Sequence, residues 1–221
     1  MATRKIINTA DGAVTIYLPD WNEYYHSRHG AIWEAYHVFI THGLALFPRG
    51  VVNVLEIGFG TGLNAFISFL ETVKRPLKVS YTGIEAYPMS MNEIQKLNYI
   101  SKLNAETFKR EFYLLHETVW EERHEISRNF SLIKRKQFFK DICDTHTFHL
   151  IYFDAFGARV QPELWTEAIF QLMYNALRQK GVLVTYAAKG SVRRAMQAVG
   201  FTVERLPGPP GKREMLRARK I

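Results

Sequence analysis

Cysteine is nearly absent: Cys143 is the only one in 221 residues. A disulfide framework within the chain is therefore impossible, and a cysteine-rich zinc site is excluded. No metal centre is expected. No apolar run approaches the roughly 18 residues that cross a membrane. The first residues, Met-Ala-Thr-Arg-Lys, lack the apolar stretch of a secretory signal. A cytoplasmic location with no membrane partner is expected. Internal repeats, low-complexity tracts and a G-x-x-x-x-G-K-[ST] phosphate loop are missing as well. Negative charge is in short supply: 21 Asp and Glu stand against 29 Lys and Arg, a net charge of +8. That balance favours polyanionic partners such as nucleic acid. Charge alone leaves an ordinary basic protein equally open.

What is present is a globular chain. Hydrophobic residues make up 47%, and 221 residues suffice for one α/β domain with a sizeable core. Residues 10–21 read as a hairpin region around the turn signal Asp11-Gly12. Residues 31–47 have helical apolar spacing. From there strands are expected at 51–55, 78–85, 130–134, 149–154, 181–186, 201–206 and 214–218. Helices are expected at 63–72, 90–103, 137–144, 163–177 and 191–199. The segment 105–129 is polar, aromatic and mostly helical in pattern, and reads as an insertion. Alternating strands and helices imply a mostly parallel, doubly wound sheet. The last two strands have no helix between them, so they should pair antiparallel. The expected organisation is an N-terminal extension (1–48) on a Rossmann-like core (49–221).

Residues 53–64, Asn-Val-Leu-Glu-Ile-Gly-Phe-Gly-Thr-Gly-Leu-Asn, join strand to helix through Gly58, Gly60 and Gly62. Such a turn lets backbone approach a ligand without side-chain clash. The spacing is G-x-G-x-G; the dinucleotide fingerprint wants its third glycine where Leu63 stands. Glu56, just before the turn, would repel a pyrophosphate but suits the cationic amino group of S-adenosylmethionine. Thr61 and Asn64 are grouped with the cofactor residues. Glu85 ends the next strand, where an acid can take both ribose hydroxyls. A third acid, after the third strand, is not evident in Lys134-Arg135-Lys136-Gln137; Asp141 or Asp144 could substitute.

The fourth strand runs into Asp154-Ala155-Phe156. An acid there lies over the sulfonium end of such a pocket, where a methyl acceptor must arrive; a turn-capping Asp is the plainer alternative. Phe156 is either a wall for an acceptor base or a core aromatic. Tyr25 and His26 belong to a segment that could fold over the cofactor, with a buried, hydrogen-bonded histidine the plainer reading of His26. Arg193, Arg194, Lys212 and Arg213 are candidate phosphate contacts.

Several motifs together carry a family resemblance: Tyr-His-Ser-x-x-Gly-Ala (25–31), Leu-Glu-Ile-Gly-Phe-Gly-Thr-Gly-Leu-Asn (55–64) and Asp-Ala-Phe (154–156) with Pro-Glu-Leu-Trp-Thr (162–166). Gly-x-Val-Arg-Arg (190–194), Gly-Phe (200–201) and Gly-Lys-Arg-Glu-Met-Leu (211–216) complete them. The chain resembles the methyltransferase half of MnmC and its stand-alone form, MnmD, over about residues 9–218. The resemblance implies a Class I methyltransferase fold with a seven-stranded sheet and an antiparallel C-terminal hairpin. It also implies the family reaction, S-adenosylmethionine-dependent methylation of the aminomethyl nitrogen of 5-aminomethyl-2-thiouridine at the tRNA wobble position. Glu56, Gly58, Gly60, Gly62 and Glu85 take the cofactor positions and Asp154 the acceptor-side acid. Methyl transfer alone is expected, without the flavin oxidoreductase domain of two-part relatives. The aminomethyl substrate would come from a separate enzyme. Two alternatives stand beside this reading. One is a methyltransferase or aminopropyltransferase for a small amine. The other is a non-catalytic S-adenosylmethionine-binding protein.

Overall fold

A computed structural model describes residues 3–221; Met1 and Ala2 of the N-terminal extension lie outside it. The extension forms a small antiparallel sheet, β1 (Lys5–Asn8), β2 (Val14–Leu18) and β3 (Glu23–Tyr24). The turn signal at Asp11-Gly12 works as expected. Gly12 takes φ 77°, and Asp11 accepts the Ala13 N–H at 3.1 Å. Helix α1 (Ala31–Ala35) continues as a π-helical turn, Tyr36–Thr41, whose buried Val38, Phe39 and Ile40 seal one face of the main sheet.

The main sheet contains β4 (Gly50–Ile57), β5 (Leu77–Ile84), β6 (Arg123–Ser127), β7 (Phe130–Arg135), β8 (Phe148–Phe153), β9 (Leu177–Thr185), β10 (Thr202–Pro207) and β11 (Glu214–Arg219). Their order is β10-β11-β9-β8-β4-β5-β7-β6. Pairs β4–β5, β4–β8, β5–β7 and β8–β9 are parallel. The C-terminal hairpin β10–β11 is antiparallel, and β11 joins β9 antiparallel. This is the mostly parallel sheet with a terminal hairpin that the alternating pattern implies.

Side-chain alternation along these strands makes two cores. Val52, Val54, Leu150, Tyr152, Val182 and Val184 face one side, where α2 (Leu63–Lys74) packs. Leu55, Ile57, Ile151, Phe153 and Leu183 face the other, under α6 (Glu167–Ala176) and α7 (Gly190–Ala198). The start of α6 is written locally. Pro162 opens a 3-10 turn to Trp165, and the Thr166 side chain then accepts from the Ile169 N–H as N-cap.

Three expectations need correction. The sheet has eight strands among the described residues, not seven, because 105–129 is only half helical. Helix α5 (Lys109–Glu117) is followed by β6, which returns antiparallel along β7 and covers the sheet edge. Residues 90–103 form two short helices, α3 (Met91–Ile94) and α4 (Tyr99–Lys102). At the break, the Asn98 side chain accepts from Val14 N–H and donates to Gly12 O, each at 2.9 Å, fastening the N-terminal hairpin to the core. Residues 137–144 hold only a 3-10 turn, Phe139–Asp141. No helix of the described residues is long and apolar enough to cross a membrane.

Candidate active site

A cavity of about 430 Å³ opens at the carboxyl ends of the parallel strands, where open α/β sheets place ligands. The glycine turn forms its floor. Gly58 and Phe59 N–H groups both donate to Ile84 O, at 3.1 and 2.9 Å, so the end of β5 holds the turn. Gly58, Gly60 and Gly62 have φ of 90°, 48° and 70°. At Gly58 a Cβ would lie 2.7 Å from the Asp154 carbonyl oxygen. Only glycine allows β4 and β8 to bring their two turns so close.

Glu56 is buried. Its Oε1 accepts from Asn64 Nδ2 at 2.9 Å, and the same amide donates to Asp154 Oδ2 at 2.8 Å. One neutral side chain thus bridges two carboxyls. Glu56 Oε2 has no hydrogen-bond partner among the described residues. Burial pushes Glu56 well above the usual carboxylate range; Asn64 and the Tyr81 hydroxyl oppose this and Asp154 adds to it. Burial, then the Glu34 carboxylate, raises Asp154 to about 7, against opposing effects from Asn64 and Lys212. Two carboxyls with an unpartnered buried oxygen require a cation to be ionised together. The ammonium and sulfonium of S-adenosylmethionine meet that requirement, and the cleared backbone at Gly58 gives them room. The residues present fit this cofactor.

Glu85 lines the same cavity. It accepts from Gly60 N–H at 3.0 Å and from Tyr87 N–H at 2.9 Å, which fixes its carboxylate at the turn. Thr61 also lines it, but its hydroxyl is committed to Tyr99 (3.1 Å) and His26 Nε2 (3.3 Å). His26 completes a chain to Thr15 through Nδ1 at 3.0 Å. Burial pushes it down to about 4, so its ring is neutral near pH 7. His26 is thus a hydrogen-bonded structural histidine at the pocket edge. Asp144 is taken by Arg135 at 2.7 Å, and neither it nor Asp141 lines the cavity. Phe138, Phe139 and Lys140 stand there, beside Tyr87.

On the side of the cavity next to Asp154, Phe156 meets Tyr25 and Trp21 edge-on, with centroids 5.0 and 5.7 Å apart. Phe156 therefore belongs to an aromatic wall of the pocket. Its carbonyl accepts from Trp165 Nε1, and the Ala155 carbonyl from the Tyr186 hydroxyl, both at 2.8 Å. These two bonds hold the backbone after Asp154. The four candidate phosphate contacts differ in exposure. Arg194 and Arg213 are exposed and Arg193 is half-buried. Lys212 turns inward onto Glu34 and the Tyr186 ring.

Sequence reading missed Trp21, Glu34 and Tyr186, because their partners are remote in the chain; Glu34 and Lys212 are 178 residues apart. It also passed over Lys134, which is buried behind the glycine turn. There it donates to His116 O at 2.6 Å and lies over the Trp120 ring. Burial lowers it to about 8. Among the described residues no group of three or more His, Cys, Asp and Glu could hold a metal.

The Asp154 shift has a measurable sign. An unfolded carboxyl titrates near 4. Between about 4 and about 7 the folded protein keeps a proton on Asp154 that the unfolded chain releases, so this group's contribution falls as pH rises. His26 and His116, pushed down to about 4 and about 3, act oppositely up to the ordinary imidazole range. Subtracting the wild-type melting curve from that of Asp154→Asn cancels the histidines. The stabilisation of Asp154→Asn should grow from about pH 4 to about pH 7 and then level off. A flat difference would refute the burial of this carboxyl.

The chain is similar to several known proteins. A family model described as S-adenosyl-L-methionine-dependent methyltransferase matches residues 114–221. The chain is 28% identical, over 94% of its length, to the tRNA 5-methylaminomethyl-2-thiouridine biosynthesis bifunctional protein MnmC of Azoarcus sp. (strain BH72). It is also 28% identical, over 89% of its length, to the MnmC of Leptospira borgpetersenii serovar Hardjo-bovis (strain JB197). It spans only 34% and 32% of those relatives. The crystal structure of MnmC2 from Aquifex aeolicus superposes with a TM-score of 0.79 at 26% identity, covering 99% of this chain and 70% of that one. Spermidine synthase from Thermotoga maritima shares the fold alone, with a TM-score of 0.54 at 14% identity. Fold, cavity and these comparisons make the chain similar to S-adenosylmethionine-dependent methyltransferases and to the MnmC proteins.

Proposed function

We propose that the chain methylates the aminomethyl nitrogen of 5-aminomethyl-2-thiouridine at the wobble position of tRNA, giving 5-methylaminomethyl-2-thiouridine. One observation carries the reading. Asp154 Oδ2 is held by Asn64, which leaves Oδ1 uncommitted, and Asp154 lines the same pocket as the aromatic wall of Trp21, Tyr25 and Phe156. An acid for an amine and a flat aromatic surface for a base suit this nucleoside. The tRNA 5-methylaminomethyl-2-thiouridine biosynthesis role of the MnmC relatives and the net charge of +8 support a tRNA substrate over a free small amine.

When bound, S-adenosylmethionine supplies the methyl group on a sulfonium. The protein's own task is alignment and exclusion of water. Asp154 Oδ1 accepts an N–H of the neutral amine and turns its lone pair toward the pocket floor. With its carboxyl raised to about 7, Asp154 can also take a proton that the amine releases. Phe156, Tyr25 and Trp21 receive the splayed anticodon base. The aminomethyl nucleoside comes from another activity.

Mass spectrometry of wobble nucleosides tests the reading, after incubation of protein and S-adenosylmethionine with tRNA carrying 5-aminomethyl-2-thiouridine. A 14-Da gain is expected on that nucleoside (the mass of one added CH₂, roughly), and none on free polyamines. Methylated polyamine with unmodified tRNA would reverse the assignment. Exposed Arg194 and Arg213 are the remaining phosphate contacts of this proposal. Reversing both to Glu should weaken tRNA binding and lower its salt slope by roughly one per lost contact. An unchanged slope removes them from the interface.

A further inference from the structure

The turn joining β10 to β11, residues 208–213, reaches back to Tyr186 at the pocket. It is folded on itself by Gly208 N–H to Arg213 O (3.1 Å) and Lys212 N–H to Pro209 O (2.9 Å). Three contacts fasten it to the N-terminal extension. His37 Nε2 bonds Pro207 O at 2.8 Å. Gly211 lies so near the His29 ring that a Cβ there would collide with it. Lys212 Nζ pairs with Glu34 Oε1, while Glu34 Oε2 accepts the Ser27 N–H at 2.8 Å. The same ammonium stands 3.7 Å from the centroid of Tyr186, whose hydroxyl holds the Ala155 carbonyl.

We propose that Lys212 and Glu34 are positioning residues of the acceptor site: their ion pair locks the C-terminal hairpin onto α1 and seats Tyr186, which fixes the backbone beside Asp154. The inference rests on the reading of Asp154 as the acceptor-side acid. Both partners are largely shielded, with side-chain exposures of 31% for Lys212 and 9% for Glu34. An ammonium committed to a carboxylate and a ring face is not free to grip a phosphate. It also balances charge. Asp154 is faced by Glu56 from β4, Tyr81 from β5, Asn64 from α2, Glu34 from α1, Tyr186 from the end of β9 and Lys212 from this turn. Lys212 is the cation acting on Asp154, opposing Glu34. Without it, two carboxylates are left facing each other and Glu34 loses its partner.

Three variants test this: Lys212→Met, Lys212→Arg and the double variant Glu34→Gln/Lys212→Met. With aminomethyl tRNA, Lys212→Met should lose turnover on the order of tenfold to a hundredfold, with KM for tRNA and S-adenosylhomocysteine affinity nearly unchanged. Its acid limb in kcat should move to higher pH. Lys212→Arg should recover most of the loss, because a guanidinium can both pair with Glu34 and stack on Tyr186. The double variant should outperform Lys212→Met, because it leaves no unpaired carboxylate at position 34. An unchanged kcat with raised KM and a lower salt slope would make Lys212 a phosphate contact and overturn the proposal. A carbon-13 carboxyl titration separates this from failure of the substrate assignment. The resonance that disappears in Asp154→Asn should titrate higher in Lys212→Met and lower in Glu34→Gln. A midpoint that moves in neither variant rejects the proposal even if the methyl acceptor is a different amine.

Discussion

Asp154→Asn should lower turnover on aminomethyl tRNA on the order of a hundredfold while S-adenosylhomocysteine still binds. The substitution keeps size and the tie to Asn64, since the new side-chain oxygen can accept that amide as Oδ2 does now. The pocket-facing atom then becomes an NH₂ donor. It no longer accepts the amine N–H; instead it hydrogen-bonds the lone pair that must attack. It also cannot take up the released proton. Glu56 remains to meet the cofactor's ammonium, so binding should survive. Single-turnover measurement with saturating cofactor and calorimetry with S-adenosylhomocysteine distinguish the two effects. Turnover within a few-fold of wild type would remove Asp154 from the acceptor site.

Gly58→Ala should be the most damaging small substitution at the cofactor end. The residue holds φ at 90°, and an added Cβ would stand 2.7 Å from the Asp154 carbonyl oxygen. That neighbour is backbone and cannot rotate away. Strain of about 1–3 kcal/mol is expected from the dihedral alone. At roughly 2–4 °C per kcal/mol, the melting temperature should fall by several degrees. Relief by movement would displace Asp154 from Asn64, so cofactor affinity should drop by at least about tenfold, the equivalent of roughly 1.4 kcal/mol. Gly50→Ala is the control. Gly50 has φ 95°, but nothing lies within 4 Å of its Cβ position. It carries the strain without the collision. If Gly50→Ala weakens cofactor binding as much, the close approach of β4 and β8 is not what the glycine serves.

Local code made much of the fold legible. The apolar alternation of Val52, Val54, Leu55 and Ile57 marks a strand buried on both faces, and three glycines after it can only serve a tight, ligand-facing turn. The missing helix between the last two strands is a statement about connection length, which dictates their antiparallel pairing. Where the reading of elements failed, long-range contacts had overruled local pattern. Asn98 is spent on the Gly12–Val14 hairpin and interrupts a helical stretch. Residues 123–127 take strand form because β7 offers an open edge.

At the site, Glu56, Gly58 and Glu85 could be read from position after a strand. The sequence could also nominate Asp154, because the ends of adjacent parallel strands converge. It could not decide protonation, since a carboxyl's ionisation depends on which groups lie around it in space. Asn64 bridging Glu56 and Asp154, and the Glu34 charge acting on Asp154, exist only once α1, α2, β4 and β8 have packed. Lys212 is the clearest case. In the chain it is one cation among neighbours in a Pro-Gly loop, and reads as a surface phosphate contact. Tertiary packing turns it inward onto Glu34 and Tyr186. Chain chemistry thus determined the sheet, the glycine turn and the type of donor it holds. Charge state and the partners of each cation were decided by packing, because electrostatic energies depend on distance and burial rather than on order along the chain.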